Sequence, residues 1–464
     1  MNRRAQAILT VCFAAFLAFL DTTIVNTSFP NIALHFRSAT QADLSWVLDG
    51  YFIVIAAFLV PAGELADRIG RKRVFLWAVL AFVATSLLCA LAPSWQLLVA
   101  ARVLQGVASA AIVPVSMALM LPEFAEEKRA AGVGIWGAAA ALAAASGPPL
   151  GGLLVKVADW RLVFLVNVPL GLICWWVGRR ALTESSDLDK PVPDLLGAAL
   201  AVVGLGSLAL AIVEGRGWGW TSPRILIAIA VAVVATAWLV RRCLTHPAPI
   251  VDPALMRIRS FRIGNLGSFF FAIAFFGMIL ANILFLTGIW RYSILQAGLA
   301  VMPGPLASTL VAIPAGKIAD RFGHPFAIVP GTVAYAAGVL VIQHCSATPD
   351  YLGHWLPGQL LVGIGIGLAF PTLGAAAVRD LPEHQFGSGS SVNSAFRQFG
   401  AVVGTAAVIA LIGTPRSLAS ALDTAHHVYW LGIVASLLAG VVSLGLLQRS
   451  PDREVVLAPA GRVR

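Results

Sequence analysis

Charged residues are scarce in this chain. Only 12% of its 464 residues are Asp, Glu, Lys or Arg, whereas 59% are hydrophobic. The apolar residues fall into many runs of about twenty, the length that an α-helix needs to cross the hydrocarbon layer of a membrane. This composition excludes a soluble domain.

Cysteine pairs and phosphate-binding loops are also missing. The five cysteines occur singly, without the paired spacing of a disulfide framework and without the histidine cluster of a metal site. The pattern Gly-x-x-x-x-Gly-Lys-Ser/Thr is absent, and no segment between the apolar runs is long enough for an ATP-hydrolysing domain. With no nucleophile triad either, the sequence predicts no enzyme, no cofactor and no use of ATP. The cysteines are Cys12, Cys89, Cys174, Cys243 and Cys345.

The apolar runs predict about fourteen transmembrane helices, an even number that places both termini on one side. Charged or Pro/Gly-rich breaks separate the runs. The predicted spans are 6–29, 46–66, 74–92, 95–118, 131–155, 161–179, 194–214, 223–243, 262–286, 295–318, 325–343, 354–377, 388–412 and 427–447.

The formal net charge of +10 would suggest a nucleic-acid partner in a soluble chain. Here the basic residues concentrate in the loops on the side of the N-terminus, such as Arg71, Lys72 and Arg73. Because cytoplasmic loops of membrane proteins collect Lys and Arg, the pattern predicts a multi-pass protein of the cell membrane with both termini cytoplasmic. The charge then reflects topology, and no nucleic-acid partner is expected.

An internal repeat divides the sequence into two related halves. The segment Pro61–Gly70 recurs as Pro314–Gly323, and both copies read Pro-Ala-Gly-x-x-Ala-Asp-Arg-x-Gly. Gly106 likewise matches Gly363, but the copies lie too far apart for six compact spans. We therefore predict an all-α protein of two six-helix bundles, related by a pseudo-two-fold axis along the membrane normal, with two inserted helices. The predicted divisions are 1–180, 181–260, 261–448 and a cytoplasmic tail at 449–464.

Several motifs resemble those of a known family. The repeated loop Gly63-x-x-x-Asp67-Arg68-x-Gly70 with Arg71 resembles the signature of the major facilitator superfamily. The segments Leu20–Asn26 and Asp159–Gly171 look like those of its fourteen-span EmrB/QacA group of drug:proton antiporters. Segments 102–106 and 147–152 look like its fourth-span and fifth-span motifs.

The resemblance implies a secondary transporter that exports small lipophilic or cationic compounds by alternating access, as in multidrug efflux and antibiotic resistance. A proton gradient would supply the energy, so the implied partners are protons, a small-molecule substrate and the lipid bilayer. The alternative is a dedicated exporter or importer of one metabolite, amino acid or self-made antibiotic. A partner protein in the cell envelope stays an open question.

Three residues are candidates for proton coupling. Asp21 lies roughly 20 Å into a hydrocarbon layer of about 30 Å, where a carboxylate must face a cavity or a partner. Its alternative role is a neutral strut that bonds through Thr22 or Asn26. Asp49 lies about one turn inside the outer interface, where a water-exposed residue is slightly favoured over one that handles protons. The resemblance implies that Arg102 relays protons, and its alternative is a structural bridge to backbone carbonyls.

Two motifs are candidates for conformational change. Opposite charges in the repeated loop can latch the halves in one state and separate in the other, although a solvated basic loop would also explain the arginines. The second copy continues Gly323-His324-Pro325, which predicts a weaker latch. The antiporter motif should kink the fifth span and pack closely, and the resemblance implies a seal against proton leak. The latch residues are Gly63, Asp67, Arg68, Gly70, Arg71, Asp320 and Arg321, and the antiporter motif comprises Gly147, Pro148, Gly151 and Gly152.

Four polar or aromatic side chains inside predicted spans are candidates for the substrate cavity: Asn26, Trp136, Asn282 and Arg397. Arg397 is an intramembrane cation, and such a residue lines a cavity or pairs with an acid. The sequence does not separate these two roles.

Overall fold

The computed structural model describes residues 2–124, 129–186, 192–247, 249–381, 385–413 and 417–447. These residues form helices joined by short loops, without a β-strand among them. The predicted tail at 449–464 lies outside the described residues.

The helices follow one another in three groups. The first group is α1 (Arg3–His35), α2 (Gln41–Ile69), α3 (Arg71–Leu91), α4 (Trp95–Met120), α5 (Arg129–Val157), α6 (Leu162–Leu165) and α7 (Asn167–Ala181). The middle pair is α8 (Leu195–Trp218) and α9 (Pro223–Thr245). The last group is α10 (Pro253–Arg257), α11 (Arg259–Gly288), α12 (Ile294–Val301), α13 (Pro303–Phe322), α14 (Pro325–Gln343), α15 (Leu356–Val378), α16 (Phe386–Ile412) and α17 (Leu418–Leu444).

Fourteen of the described helical segments are long and apolar enough to cross a membrane, with α6 and α7 forming one segment and α12 and α13 another. Each overlaps one predicted span, which confirms the fourteen-span prediction. A helix satisfies its own backbone hydrogen bonds, as the hydrocarbon layer requires. Short polar motifs start the helices: at α2, Thr40 accepts from the backbone of Asp43 and the Asp43 carboxylate accepts from the backbone of Thr40.

The two halves repeat the same packing pattern. In the first half α1 packs on α5, α2 on α4, α3 on α4 and α3 on α7. In the second half α11 packs on α16, α13 on α15, α14 on α15 and α14 on α17. The internal repeat of the sequence is therefore a structural repeat.

Matched glycines permit the closest of these contacts. A Cβ atom at Gly106 would lie 2.9 Å from the carbonyl oxygen of Tyr51 in α2, and one at Gly363 would lie 2.9 Å from Cβ of Ala307 in α13. Because real Cβ atoms essentially never approach this closely, both positions need glycine for the helices to touch.

The middle pair lies beside the junction of the halves. Helix α8 packs on α9, on α2 of the first half and on α16 of the second. At one end Arg242 of α9 forms an ion pair of 2.7 Å with Asp194, which also caps α8 by accepting from the backbone of Gly197. The domain boundaries at residues 180 and 260 stay predictions.

The two ends of the bundle differ in charge. We call the end that carries Arg3 and the loop 67–73 the basic end, and the other end, where α1 finishes and α2 begins, the opposite end. Toward the opposite end the halves share one apolar core, in which Phe29 and Leu48 of the first half lie with Leu280 and Val402 of the second.

Candidate functional site

Asp21 lies in the interior of the first half, fully buried and paired with an arginine. Its Oδ2 atom is 2.5 Å from Nη1 of Arg102 on α4. Its Oδ1 atom accepts hydrogen bonds of 3.1 Å from Nε2 of Gln105 and from Nδ2 of Asn167 on α7. Two helices, α4 and α7, therefore hold the carboxylate through one cation and two amides. We call Asp21, Arg102, Gln105 and Asn167 the buried polar cluster.

Surrounding groups fix the orientation of the cluster. Arg102 donates from Nη1 to Oε1 of Gln105 at 2.7 Å and from Nε to the carbonyl of Val47 at 3.1 Å. Its guanidinium lies 3.9 Å from the centre of the Tyr51 ring, within range of a cation–π interaction. Gln105 also donates to Oγ of Ser86 at 2.7 Å. The guanidinium is thus bound to both an acid and a backbone carbonyl. The contact with the carbonyl is of the kind that the structural alternative named, and the proton relay stays a prediction.

The partners of Asp21 differ from the polar neighbours considered in the sequence. Neither Thr22 nor Asn26 bonds to it; Asn26 instead donates to the carbonyl of Thr22 at 2.8 Å. Sequence reasoning missed Gln105 and Asn167 as site residues. Gln105 lies on the same helix face as Arg102, three positions later, and that spacing was an available signal.

Asp49 is a correction to the sequence analysis. The slightly favoured expectation of a water-exposed interfacial residue is wrong, because its side chain is 0% exposed. Helix α16 covers it, and its Oδ1 atom accepts a hydrogen bond from the hydroxyl of Thr405. The contact joins the two halves through one carboxyl group, which depth along α2 alone did not reveal.

Three buried acceptors lie at a similar depth to this contact and are unsatisfied. Asn26, Asp49, Asn282 and Thr405 each lie about 9–14 Å from the opposite end of their helices, at a rise of about 1.5 Å per residue. Oδ1 of Asn26, Oδ2 of Asp49 and Oδ1 of Asn282 are buried without a hydrogen-bond partner among the described residues. A buried acceptor without a donor is costly, so the two amide oxygens are suited to a donor group and the free oxygen of Asp49 to a donor group or a proton.

The antiporter motif makes contacts on both sides of α5, which runs continuously through Pro148 and Pro149. Gly147 and Gly151 face α1: a Cβ at Gly147 would collide with Thr23, and one at Gly151 would lie 3.1 Å from the carbonyl of Ile24. Gly152 faces α12 of the other half, where a Cβ would lie 2.5 Å from Cα of Leu295. The motif therefore packs α5 within its own half and against the other half.

Pro148 completes this junction from α5. A Cβ at Gly298 of α12 would lie 2.7 Å from the carbonyl carbon of Pro148. Above the junction, at the opposite end, the halves line a cavity of about 1180 Å³ whose wall includes Phe29, Gly152 and Leu295. The halves are therefore closed on each other below this cavity, at the α2–α16 and α5–α12 contacts.

At the basic end the loop motif folds on its own half. Oδ1 of Asp67 lies 2.7 Å from Nε of Arg71. The carboxylate of Glu184, after α7, accepts from the backbone of Lys72 and Arg73 at 3.0 and 3.1 Å, a favourable place for an acid at the start of α3. Gly70 has φ +121 and lies so close that a Cβ would be 2.8 Å from Glu184. Glu184 is a further residue of the loop that sequence reasoning missed.

The remaining latch residues have simpler surroundings. Gly63 of α2 faces Pro114 of α4, 3.7 Å from where its Cβ would be. Arg68 lies beside Asp67, while Asp320 and Arg321 of the second copy are exposed. Burial, reinforced by the positive charge of Arg379, holds the pKa of His324 below its ordinary value. His324 thus adds no lasting positive charge at neutral pH. Arg71, at the matching position of the first copy, is always charged.

Two cavity candidates lie in different surroundings. Trp136 of α5 donates to Oγ of Ser116 at 3.0 Å and packs edge-on against Phe19 of α1, within the first half. Arg397 of α16 belongs to the second half and lies 3.9 Å from the centre of the Phe370 ring. The structure does not bring these two side chains into one described site.

The fold and site define a class of protein. A bundle of fourteen apolar helices, built from two repeated halves with a charged pair buried in one of them, is a membrane transporter and not an enzyme. The family follows from comparison with known proteins. The family model described as Major Facilitator Superfamily matches residues 11–405 and 266–463, and the chain belongs to that superfamily.

Curated relatives and solved structures agree with this assignment. The chain is 33% identical over 413 residues to the multidrug resistance protein Stp of Mycobacterium tuberculosis, covering 88% of this chain and 75% of Stp. It is 33% identical over 447 residues to the methylenomycin A resistance protein of Streptomyces coelicolor, covering 95% and 92% of the two chains. A bacterial homologue of the human lysosomal transporter Spinster, solved inward-facing and unoccupied, has the same fold, with a TM-score of 0.66 and 15% identity over 97% of this chain and 99% of that one.

Proposed function

We propose that this chain is an efflux transporter that exchanges protons for small lipophilic molecules by alternating access. The buried polar cluster is the observation that carries the proposal. An acid and an arginine in the interior of a membrane protein are expensive to maintain and mark ion pathways or relays. Asp21 accepts hydrogen bonds from Arg102 and Gln105 on α4 and from Asn167 on α7.

Proton binding would change the energy of this cluster directly. A proton on Asp21 removes the negative charge and leaves the guanidinium of Arg102 without its counter-ion. A conformation in which water or another acceptor reaches Arg102 is then favoured over the sealed one. Such a difference in proton affinity between two conformations is what couples a gradient to a conformational change.

Two further features support alternating access. The α2–α16 and α5–α12 contacts close the opposite end, and we propose that they separate when that end opens. We propose in addition that Asp67, Arg68 and Arg71 latch the halves at the basic end in that second state. Because the second loop has His324, with a lowered pKa, and Pro325 where the first has Arg71 and Lys72, the first loop supplies more of the latch charge.

The relatives support efflux as the direction of transport. Both are named for resistance, to multiple drugs in one case and to methylenomycin A in the other. The second relative matches over 92% of its length, which favours, as the alternative, a dedicated exporter of one antibiotic. In either case we place the basic end in the cytoplasm of the cell, following the charge distribution.

Dependence of transport on a pH gradient is the first test of this function. In proteoliposomes with an imposed pH difference, we expect the protein to drive net movement of at least one of the dyes ethidium, rhodamine 6G and fluorescein. The ionophore nigericin, which collapses the pH difference, should stop that movement because no other energy source is proposed. Fluorescence of the dye and of an internal pH indicator measures both fluxes. Dye accumulation that persists without the gradient would rule out proton coupling.

Asp49 is proposed as a second proton-binding group, which releases its proton where the opposite end opens. Asp49→Asn keeps the shape of the side chain and an acceptor for Thr405 but binds no proton. We therefore expect a lower ratio of proton flux to dye flux in this variant. Thr405→Val is the matched control, since it removes the hydrogen bond and keeps the acid; its flux ratio should equal that of the unmodified protein. An unchanged ratio in Asp49→Asn would remove Asp49 from the coupling pathway.

A further inference from the structure

Arg397 is a charged side chain near the middle of a membrane-crossing helix. Its guanidinium lies over the ring of Phe370, 3.9 Å from the ring centre. Within the described part of the chain, this cation–π contact is its one polar interaction, and no acid pairs with it. The residue is half-buried.

The acids inside the bundle are engaged elsewhere. Asp21 is neutralised by Arg102 within the first half. Asp49 accepts from Thr405, and Thr405 lies about 12 Å further along α16 than Arg397. Glu214 lies near the end of α8. The described interior therefore leaves Arg397 without a counter-ion, and an isolated charge at this depth in a membrane is costly.

The position of Arg397 on its helix places it near the junction of the two halves. Residues 397, 401 and 405 follow one another at four-residue spacing on one face of α16. Thr405 on that face contacts Asp49 of α2, and Ala401 lies in the apolar core shared by both halves. Arg397 thus lies one turn before Ala401 and two turns before Thr405, toward the basic end. It lies between the face of α16 that meets the first half and the face, marked by Gly404, that packs on α11.

Aromatic rings adjoin the guanidinium. Phe370 packs against Phe275 with ring centres 5.1 Å apart, and Phe275 packs against Phe276 at 4.9 Å. Phe276 in turn contacts Phe52 of the first half at 5.3 Å. The surroundings thus offer apolar, flat surfaces beside one positive charge.

We propose that Arg397 binds the carboxylate of the transported molecule, so that the substrates are lipophilic organic acids. A guanidinium binds a carboxylate through two parallel hydrogen bonds, and the neighbouring rings suit a flat apolar body. A bound acid supplies the missing counter-ion, whereas a lipophilic cation would be repelled. This assignment rests on the proposed efflux function and replaces the cationic substrates that the sequence motifs suggested.

Two dyes with the same ring system test the assignment. Fluorescein carries a free carboxylate, while rhodamine 6G carries an esterified carboxyl and a positive charge. In proteoliposomes with an imposed pH difference, we expect transport of fluorescein in preference to rhodamine 6G. Arg397→Gln should reduce fluorescein transport at least tenfold, roughly the loss of one charge-assisted bidentate contact of 1.5–3 kcal/mol. Arg397→Lys should retain part of it with a raised KM.

Gln398→Ala, on the same turn of α16, is the control for general damage to the helix and should leave the fluorescein rate unchanged. If Arg397→Gln unfolds, the preference of the unmodified protein for fluorescein over rhodamine 6G still tests the assignment. Preference for rhodamine 6G, or fluorescein transport that survives in Arg397→Gln, overturns the assignment while leaving proton-coupled efflux intact. Transport of ethidium but of neither of these two dyes also overturns the assignment alone, whereas transport of none of the three contradicts the proposed function and the assignment together.

Discussion

Asp21→Asn abolishes gradient-driven exchange and leaves a folded, inserted protein. Asparagine has nearly the shape of aspartate and still offers one oxygen to Nη1 of Arg102, which is 2.5 Å from the carboxylate. It carries no charge and binds no proton in the working pH range, so the difference between the protonated and ionised states disappears. Dye flux under an imposed pH difference should fall to that of protein-free liposomes.

The stability of this variant separates coupling from packing. The new amide places its hydrogens against Nε2 of Gln105 and Nδ2 of Asn167, both of which donate to Oδ1 of Asp21. One unsatisfied donor costs about 1–3 kcal/mol. We therefore expect a lower unfolding temperature but a normal yield in the membrane. Full transport by this variant would remove Asp21 from the mechanism.

Arg102→Gln provides the complementary measurement. It leaves the buried carboxylate of Asp21 without its cation, and removing one partner of a buried ion pair typically costs about 3–5 kcal/mol. The double variant Asp21→Asn, Arg102→Gln restores neutrality, so we expect it to be more stable than Arg102→Gln alone. Its transport should stay at background, because stability depends on the cluster being neutral overall, whereas coupling depends on a carboxylate that binds a proton.

The sequence predicted the helices well because the signal is local. Each span is an apolar run of the length that a membrane needs, and each predicted run overlaps a helix of the structure. The repeat was also legible, because Pro61–Gly70 and Pro314–Gly323 share their residues in order. Asp21 and Arg102 stood out individually as charges inside apolar runs.

Contacts between side chains of distant helices could not be predicted from the sequence in the same way. Nothing in a single sequence shows that α4 and α7 both reach Asp21, so Gln105 and Asn167 passed as ordinary polar residues of their motifs. Asp49 was misjudged for a related reason. Its distance from the helix end gives depth in the membrane, but its burial depends on α16 packing over it from the other half.

The same limit applies to the small residues, whose role depends on what they face. Gly137 and Gly152 both lie on α5, yet a Cβ at Gly137 would meet nothing within 4 Å. A Cβ at Gly152 would lie 2.5 Å from Cα of Leu295 and 2.8 Å from the carbonyl oxygen of Ile294. These are backbone atoms, which do not move aside as a flexible side chain does.

Gly152→Leu therefore separates α5 from α12 and opens the opposite end. The added side chain is strained only while the two halves are in contact, since it is relieved when they part. Overpacking of this kind costs about 1–3 kcal/mol, which shifts a two-state equilibrium by about 5- to 150-fold. We expect the protein to rest in the open state and its dye transport to fall by a comparable factor.

A cysteine at the sealed junction reports the shift. Leu48 is 1% exposed in the apolar core shared by both halves, so Leu48→Cys in a background without other cysteines should react slowly with a membrane-impermeant maleimide. Adding Gly152→Leu should raise that rate, whereas Gly137→Leu, on the same helix, should leave both labelling and transport unchanged. Equal labelling in the two leucine variants would mean that the α5–α12 contact does not control access, and that the antiporter motif acts only within its own half.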